Sequence, residues 1–512
     1  MPENLASFKV FCQGGLNTSR DVLSQGENQP GSATALINYE PAVTGGYRKI
    51  NGFANNYGTV TGTGSVLGVC VADGINDGIF ACRTPSSGNN YLHKWNNSSS
   101  AWQAITTSGS PTMTGVTKVR FSRLNFGTPK IVLTDGINPA ATYDGSTYTQ
   151  ITHSDAPTDP KFSAIFQNHL FLAGDPAHPT KLYHSAPLAE TDFASANGAG
   201  VINVGFPIVA IKSFRNELFI FGSTNIKKLS GTALANFAVQ TVTDDLGCLA
   251  TDSVIEIGGD LLFLSQDGLR PISGTAKIGD VNLETVSKNI QSIFTDIVFD
   301  IDLDTLNAVV IRQKTQFRYF FGAADSQGII GGFRQTPNGL QFEYSQMLGI
   351  TATCAASGYI GQNEFVLHGT SDGKVHRQEQ GNSFAGENIF SIFQTPFFHM
   401  QDPEQRKIFY NVATYLRSEG DNSIVMSAVY DYEDVDTLNP TNFNLSTTGA
   451  AAFYNEALYN STAIFDGNPS PVQRTNISGS GKSASLKFVT NDTSASHSIQ
   501  GLVITFGVGD RL

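Results

Sequence analysis

Phe166-Gln-Asn-His-Leu170-Phe-Leu-Ala-Gly174 returns 48 residues later as Phe214-Arg-Asn-Glu-Leu218-Phe-Ile-Phe-Gly222. A fixed period of this size marks a unit that cannot bury its apolar face alone and must stack on copies of itself. Weaker copies run in both directions. Asp73-Gly74-Ile75-Asn76 is answered by Asp135-Gly136-Ile137-Asn138, and Leu170-Phe171-Leu172 by Leu261-Leu262-Phe263-Leu264. Each copy is a short apolar run ending in Gly or an Asp-Gly pair, the signature of a strand followed by a tight turn.

The pattern predicts a β-propeller, and composition agrees with an all-β chain. With 512 residues, 51 of them Gly, and only 15% charged, the sequence favours many short strands joined by turns over helices built on Glu, Lys and Leu. Strand-and-turn segments can be counted at Val66–Cys82 with Tyr91–Trp95, Lys118–Phe121 with Lys130–Thr134, Phe162–Ser185, Ile208–Ser230 and Val254–Ile272. Two more follow, at Asn307–Phe321 with Gly331–Tyr344 and at Tyr359–His376, which gives six or seven blades over residues 56–381. Residues 1–55 read as an N-terminal arm that lies on a neighbour or closes the ring. Leu283, Val286, Ile290, Ile293, Phe294 and Ile297 recur at helical spacing behind Asn282, an N-cap candidate, so one amphipathic helix over 283–297 is expected between blades. Residues 382–512 change texture, with strands at Arg406–Leu416, Ser423–Tyr432, Ser485–Thr490 and Leu502–Phe506 between Asn/Ser/Thr/Gly connections, the style of a β-sandwich.

The charge balance, 32 basic against 44 acidic residues for a net of −12, argues against a protein that grips nucleic acid. Basic residues cluster only as pairs, such as Arg48-Lys49, Lys227-Lys228 and Arg406-Lys407. The first fifteen residues carry neither a basic n-region nor an apolar core, and no apolar run approaches 18 residues, so neither an export signal nor a membrane anchor is expected. Five scattered cysteines without a Cys-x-x-Cys pair predict reduced, buried thiols in a chain folded in a reducing cytoplasm.

Each motif that could carry chemistry fails on spacing. Gly481-Lys482-Ser483 resembles the end of a phosphate loop, yet Asn476 stands where that loop needs Gly. Asp300-Ile-Asp302-Leu-Asp304 imitates a calcium loop, but Thr305 and Ile311 replace its obligatory Gly and Glu, and alternating carboxylates on one strand face describe it more simply. The run Asp431 to Asp436 reads as a solvated acidic loop. A two-residue turn at Asp372-Gly373 would send His368 and His376 to opposite faces of their hairpin, while His169, His178 and His184 lack zinc-ligand spacing. Adjacent Asp244 and Asp245 point to opposite sides of a strand, and no nucleophile stands beside an evident base. No catalytic residue, metal or cofactor is expected.

The order of parts, an arm with Gly14-Gly15-Leu16 and Gly45-Gly46-Tyr47-Arg48, blades containing Phe219-Ile-Phe-Gly222-Ser-Thr-Asn-Ile226, the helix, and a C-terminal module opened by Asp402-Pro403 and Arg406-Lys407, resembles the tail nozzle or tail hub proteins of short-tailed bacteriophages (podoviruses), also called packaged-DNA stabilisation proteins. The resemblance implies a homohexameric ring below the portal and its head-to-tail adaptor, a conduit that retains packaged DNA, ejects the genome and docks fibres, spikes or a needle. Double-stranded DNA would pass without sequence-specific binding, which suits a net-acidic wall. It also implies a virion-tail location after assembly in the host cytoplasm. Exposed Arg and aromatic residues are favoured at interfaces, so ring and adaptor contacts are expected at Gly45, Gly46, Tyr47, Arg48, Lys49 and Phe53, and at Asp402, Arg406 and Lys407. Asp300, Asp302 and Asp304 are the candidates to face the lumen.

Two other functions compete. A receptor- or glycan-binding propeller of a tail spike should show aromatic platforms at equivalent blade positions, but the two tryptophans, Trp95 and Trp102, lie outside the strongest repeats. A polysaccharide-cleaving propeller enzyme would need carboxylates, His or Tyr brought together from different blades.

Overall fold

The computed structural model describes residues 5–88, 91–105, 115–275, 285–322, 327–336, 339–400, 402–434, 437–447 and 471–509. The quoted phrase is a hairpin. Phe162–Phe166 turns through Gln167 and Asn168 into His169–Ala173, and Ala210–Phe214 turns through Arg215 and Asn216 into Glu217–Phe221. All four turn residues have positive φ, between 47° and 62°, as the two-residue turn matching strand twist requires. Leu261 to Leu264 occupy the same second-strand position in a later sheet. The Asp-Gly-Ile-Asn pair is not equivalent in this way. Residues 73–76 join the first and second strands of their sheet, and residues 135–138 join the second and third of theirs. Turn chemistry, rather than repeat position, produced that echo.

Seven small antiparallel units follow one another, six of them separate sheets over residues 63–104, 120–150, 162–203, 210–243, 255–271 and 354–378, and the sixth in chain order, over 307–348, the four-stranded part of a larger sheet. Their first strands pack side by side, and one cavity is lined from the first strand of six sheets and from residues 251–254 leading into the fifth. The chain is therefore all-β and propeller-like. The last sheet takes its outer strand from far away: Phe53–Ala54 pairs with Val375–Gln378. Cores form between successive sheets, with Leu170 and Leu218 fully buried in two different clusters. Leu218→Ala should lower stability by about 2–5 kcal/mol, and Leu170→Ala by a similar amount. With separate clusters the double variant should show near-additive loss in urea unfolding.

Residues 5–54 are woven into the body of the protein. Leu5–Phe11 pairs along the whole of residues 501–507, and Tyr47–Lys49 pairs with residues 498–499 of the same strand. Ala35–Ile37 bridges two strands, Gly339–Leu348 of the sixth small sheet and Ile389–Gln394 of the C-terminal module. The result is a nine-stranded sheet running from propeller to module. It faces a six-stranded sheet built on Lys407–Ser418 and His497–Val508, and the two enclose a sandwich core. Stacked rings fill it, Phe393 on Phe488 at 5.6 Å and Phe409 on Tyr430 at 4.9 Å. Strands of two or three residues cannot display alternation, which is why this segment read as an arm.

The helix is shorter than its periodicity suggested. A 3-10 turn at Lys288–Ile290 leads into Gln291–Asp300, while Asn282 and Leu283 lie outside the described residues. Ile290, Phe294 and Ile297 enter the sandwich-side core. The helix thus packs within its own subunit. Asp302 and Asp304 are not on a strand: residues 303–305 form a turn, with the Asp304 amide donating to Asp302 Oδ1 at 3.1 Å.

Candidate functional site

Four of the nine residues expected at the ring interface, Gly46, Tyr47, Lys49 and Lys407, are buried within the subunit. Tyr47 is fully buried, its hydroxyl donating to the Gly31 carbonyl (2.7 Å) and accepting from the Gly15 amide (3.0 Å). Gly45 and Gly46 both have positive φ, and a side chain at Gly46 would overlap the Ile499 carbonyl. Lys49 is buried against Asp492 at 2.7 Å. Lys407 is buried too, donating to the carbonyls of Asp402 and Lys482. Phe53 is half-buried, stacked on Phe384 at 5.1 Å. Of the second set, Arg406 is exposed and Asp402 partly so. Basic residues next to aromatic or Gly-rich runs looked like surface tips, but here they close contacts between distant parts of the chain.

Arg48 shows what they build. Its guanidinium makes a two-pronged pair with Glu419 (both contacts 2.5 Å) and reaches Glu40 at 3.1 Å. Glu40 also takes Lys314 at 2.6 Å and lies 3.7 Å from Arg318. Lys314 and Arg318 both pair with Glu379, and Arg318 donates to Gln378 at 2.7 Å. Three cations and three carboxylates thereby tie the N-terminal strands, the sixth and seventh small sheets and the C-terminal module. Burial alone would raise the Glu379 pKa, but the charges of Arg318 and Lys314 outweigh it and bring it down to about 2.

Of the acidic row, Asp304 stands beside the cavity, while Asp300 ends the helix Gln291–Asp300. Asp304 is exposed, pairs with Lys161 at 3.3 Å, and its carbonyl accepts from Lys118 at 3.2 Å. Lys118 and Arg120 both hold Asp252, at 2.7 Å and 2.8 Å. Burial pushes the Asp252 pKa up, but the two cations prevail and lower it. Asp252 is the one carboxylate lining this cavity of about 540 Å³, so the carboxylate pair that glycoside hydrolysis uses is not assembled among its lining residues.

Two motifs resolve differently from expectation. The loop between Gly369 and Val375 has five residues, not two, so His368 faces His376 directly with ring centroids 5.2 Å apart. Burial holds both pKa values down, with His376 and Arg318 adding to the shift at His368 and Asp372 opposing it at His376, and Phe53 packs against both rings. Among the described residues no group of three or more metal-ligating side chains forms. Gly481-Lys482-Ser483 connects residues 472–481 of the six-stranded sheet to residues 484–492 of the nine-stranded one, and its amides are already engaged: Asp431 Oδ1 accepts from Lys482 N at 2.7 Å and Ser483 N at 3.0 Å. Residues 431–433 form a tight turn beside this connection, while 435 and 436 lie outside the described residues. The five cysteines are free and buried, and burial raises the pKa of Cys12, Cys70 and Cys354 to about 12.

Fold and ion network together define an all-β, propeller-like body fused to a sandwich. No protein-family model matches the chain, and no curated protein matches its sequence. Among solved structures it is similar to an ancestral GH74 enzyme (10% identity, TM-score 0.40, 73% of this chain), of whose length it spans about half, 53%. It is also similar to Kluyveromyces lactis Hsv2 (8% identity, TM-score 0.34, covering 56% of this chain and 99% of that one). A third is an exo-β-1,3-galactanase from Phanerochaete chrysosporium (11% identity, TM-score 0.24, covering 89% and 100%). Likenesses this remote carry no argument about activity.

Proposed function

We infer that this chain is a structural, ring-forming subunit of a phage-type tail nozzle, a closed seven-bladed propeller whose sandwich module contacts neighbouring copies. The observation that carries the reading is the outer face of the six-stranded sheet. Cross-strand register aligns Leu5 with Gly507 and Ile408, and Phe11 with Gly501 and Tyr415, so four large apolar side chains share one face with Val503 between the rows. Leu5 and Phe11 are 61% and 71% exposed. An apolar sheet face of this kind marks a protein contact.

The axial cavity is far too small for a DNA duplex, so the conduit would lie between subunits, six of them by the resemblance, beneath the adaptor ring. Asp302 and Asp304 remain the candidates for its wall, and Arg406 with Asp402 for the adaptor or fibre contact. The role requires no catalysis, and the assembled protein would reside in the virion tail.

Leu5→Ser with Phe11→Ser should leave the melting temperature almost unchanged, because both side chains already meet solvent. The same pair should abolish ring formation on a purified adaptor, seen by cryo-electron microscopy. Rings of unaltered yield, or release of sugar from a polysaccharide by the wild-type chain, would overturn the reading.

A further inference from the structure

The axial cavity carries more positive charge than the subunit uses. Its lining presents Lys118, Arg120, Arg123 and Lys212 against the single carboxylate of Asp252, which Lys118 and Arg120 already hold. Among the described residues, Arg123 donates to the Asp73 carbonyl at 3.3 Å and pairs with no carboxylate. Lys212 makes no hydrogen bond or ion pair among the described residues, although its side chain is open to the cavity. Lys212 is exposed within the cavity, and desolvation by the surrounding walls lowers its pKa, with Glu256 acting against and Arg312 with the shift. Arg312 itself reaches Ser357, another lining residue, at 3.0 Å. Arg123 and Lys212, on strands of two different sheets, therefore face one cavity without a carboxylate partner among the described residues, while Arg312 at its rim is paired with Glu364 at 3.8 Å; a bound anion would offset the unpaired charge.

We propose that this cavity binds a small, multiply charged oxyanion, a phosphate or sulfate group free or carried as an ester, between Arg123, Lys212 and the Arg312 rim. Its volume of about 540 Å³ falls in the range of small-molecule sites. Separate cations arranged around an axis suit the several oxygens of a tetrahedral centre better than the two coplanar oxygens of a carboxylate. Hydroxyls of Ser122, Ser163 and Ser357 line the same space as further donors. The proposal is independent of ring assembly.

The test uses the full chain and pyrophosphate, with sodium chloride at matched ionic strength and inorganic sulfate as further arms. Wild type should show a saturable rise in melting temperature with pyrophosphate beyond that in chloride. A comparable rise with sulfate would point to a single tetrahedral group, and a rise with pyrophosphate alone to a linked pair. Arg123→Met with Lys212→Met should melt no lower than wild type without ligand, because it relieves repulsion, and should weaken pyrophosphate binding at least tenfold. No saturable rise with either anion, or equal affinity in the variant, overturns the proposal. Should that variant fail to fold, acylation of Lys212 in wild type decides. Pyrophosphate should slow it at least fivefold by peptide mass spectrometry, and an unchanged rate overturns the site.

Discussion

Removal of residues 1–54 should leave a chain that does not reach a cooperatively folded state. The segment contributes Val10, Leu16, Leu36, Tyr39, Tyr47 and Ile50, each at most 2% exposed. At about 1.5–3 kcal/mol per buried large side chain, their loss removes roughly 9–18 kcal/mol, as much as the whole stability of an ordinary domain. The truncation also unpairs an edge of the six-stranded sheet, interrupts the nine-stranded one at Ala35–Ile37, and strips the outer strand from the seventh small sheet. Far-ultraviolet circular dichroism and limited proteolysis of the truncated chain would check this. A soluble product with a single sharp unfolding transition would show that the segment only decorates a self-sufficient body.

Glu379→Gln should destabilise the full chain by about 3–5 kcal/mol, because it leaves Arg318, fully buried, with Glu40 as its one carboxylate and at the longer distance of 3.7 Å. Adding Arg318→Met should recover part of that loss, since the second change removes the uncompensated charge. The pH dependence has a definite sign. The folded pKa of Glu379 is about 2, below its ordinary value of 4.5, so its contribution is complete above about pH 4.5 and fades as the pH falls toward 2. Urea unfolding across that window should show wild type losing stability more steeply than Glu379→Gln. Parallel curves would mean that the carboxylate carries none of the acid sensitivity.

How much of this could be read from the chain depended on how far apart the interacting parts lie. The hairpins of Phe166 and Phe214 were legible because strand, turn and strand fall within a dozen residues and announce themselves by alternation and turn chemistry. The pairing of Leu5–Phe11 with residues 501–507 was not, since a single short strand carries no mark of its partner. Arg48 and Lys49 looked exposed because their carboxylates, Glu419 and Asp492, stand some 370 and 440 positions away. His368 and His376 were set on opposite faces by assuming the shortest turn, and a five-residue loop shifted the register by one. Of the cavity cations, Lys118, Arg120 and Arg123 stand close in sequence, but nothing there announced that Lys212, from a different sheet some 90 residues on, would join them.

The pairing of Leu5–Phe11 with His497–Val508 also sets an order of events during synthesis. The N-terminal strands leave the ribosome first but cannot be completed until a partner nearly 500 residues later emerges, roughly 25–100 s afterwards at ordinary elongation rates. Through that interval Phe8 and Val10 lack the core they will enter, whereas Phe53–Ala54 waits only for residues 375–378. A chain cut short before residue 497 can never lay Leu5 and Phe11 beside Ile408 and Tyr415. On the proposed reading, the apolar face is thus completed only once residues 497–508 have emerged, and chains interrupted before them would be kept out of the ring.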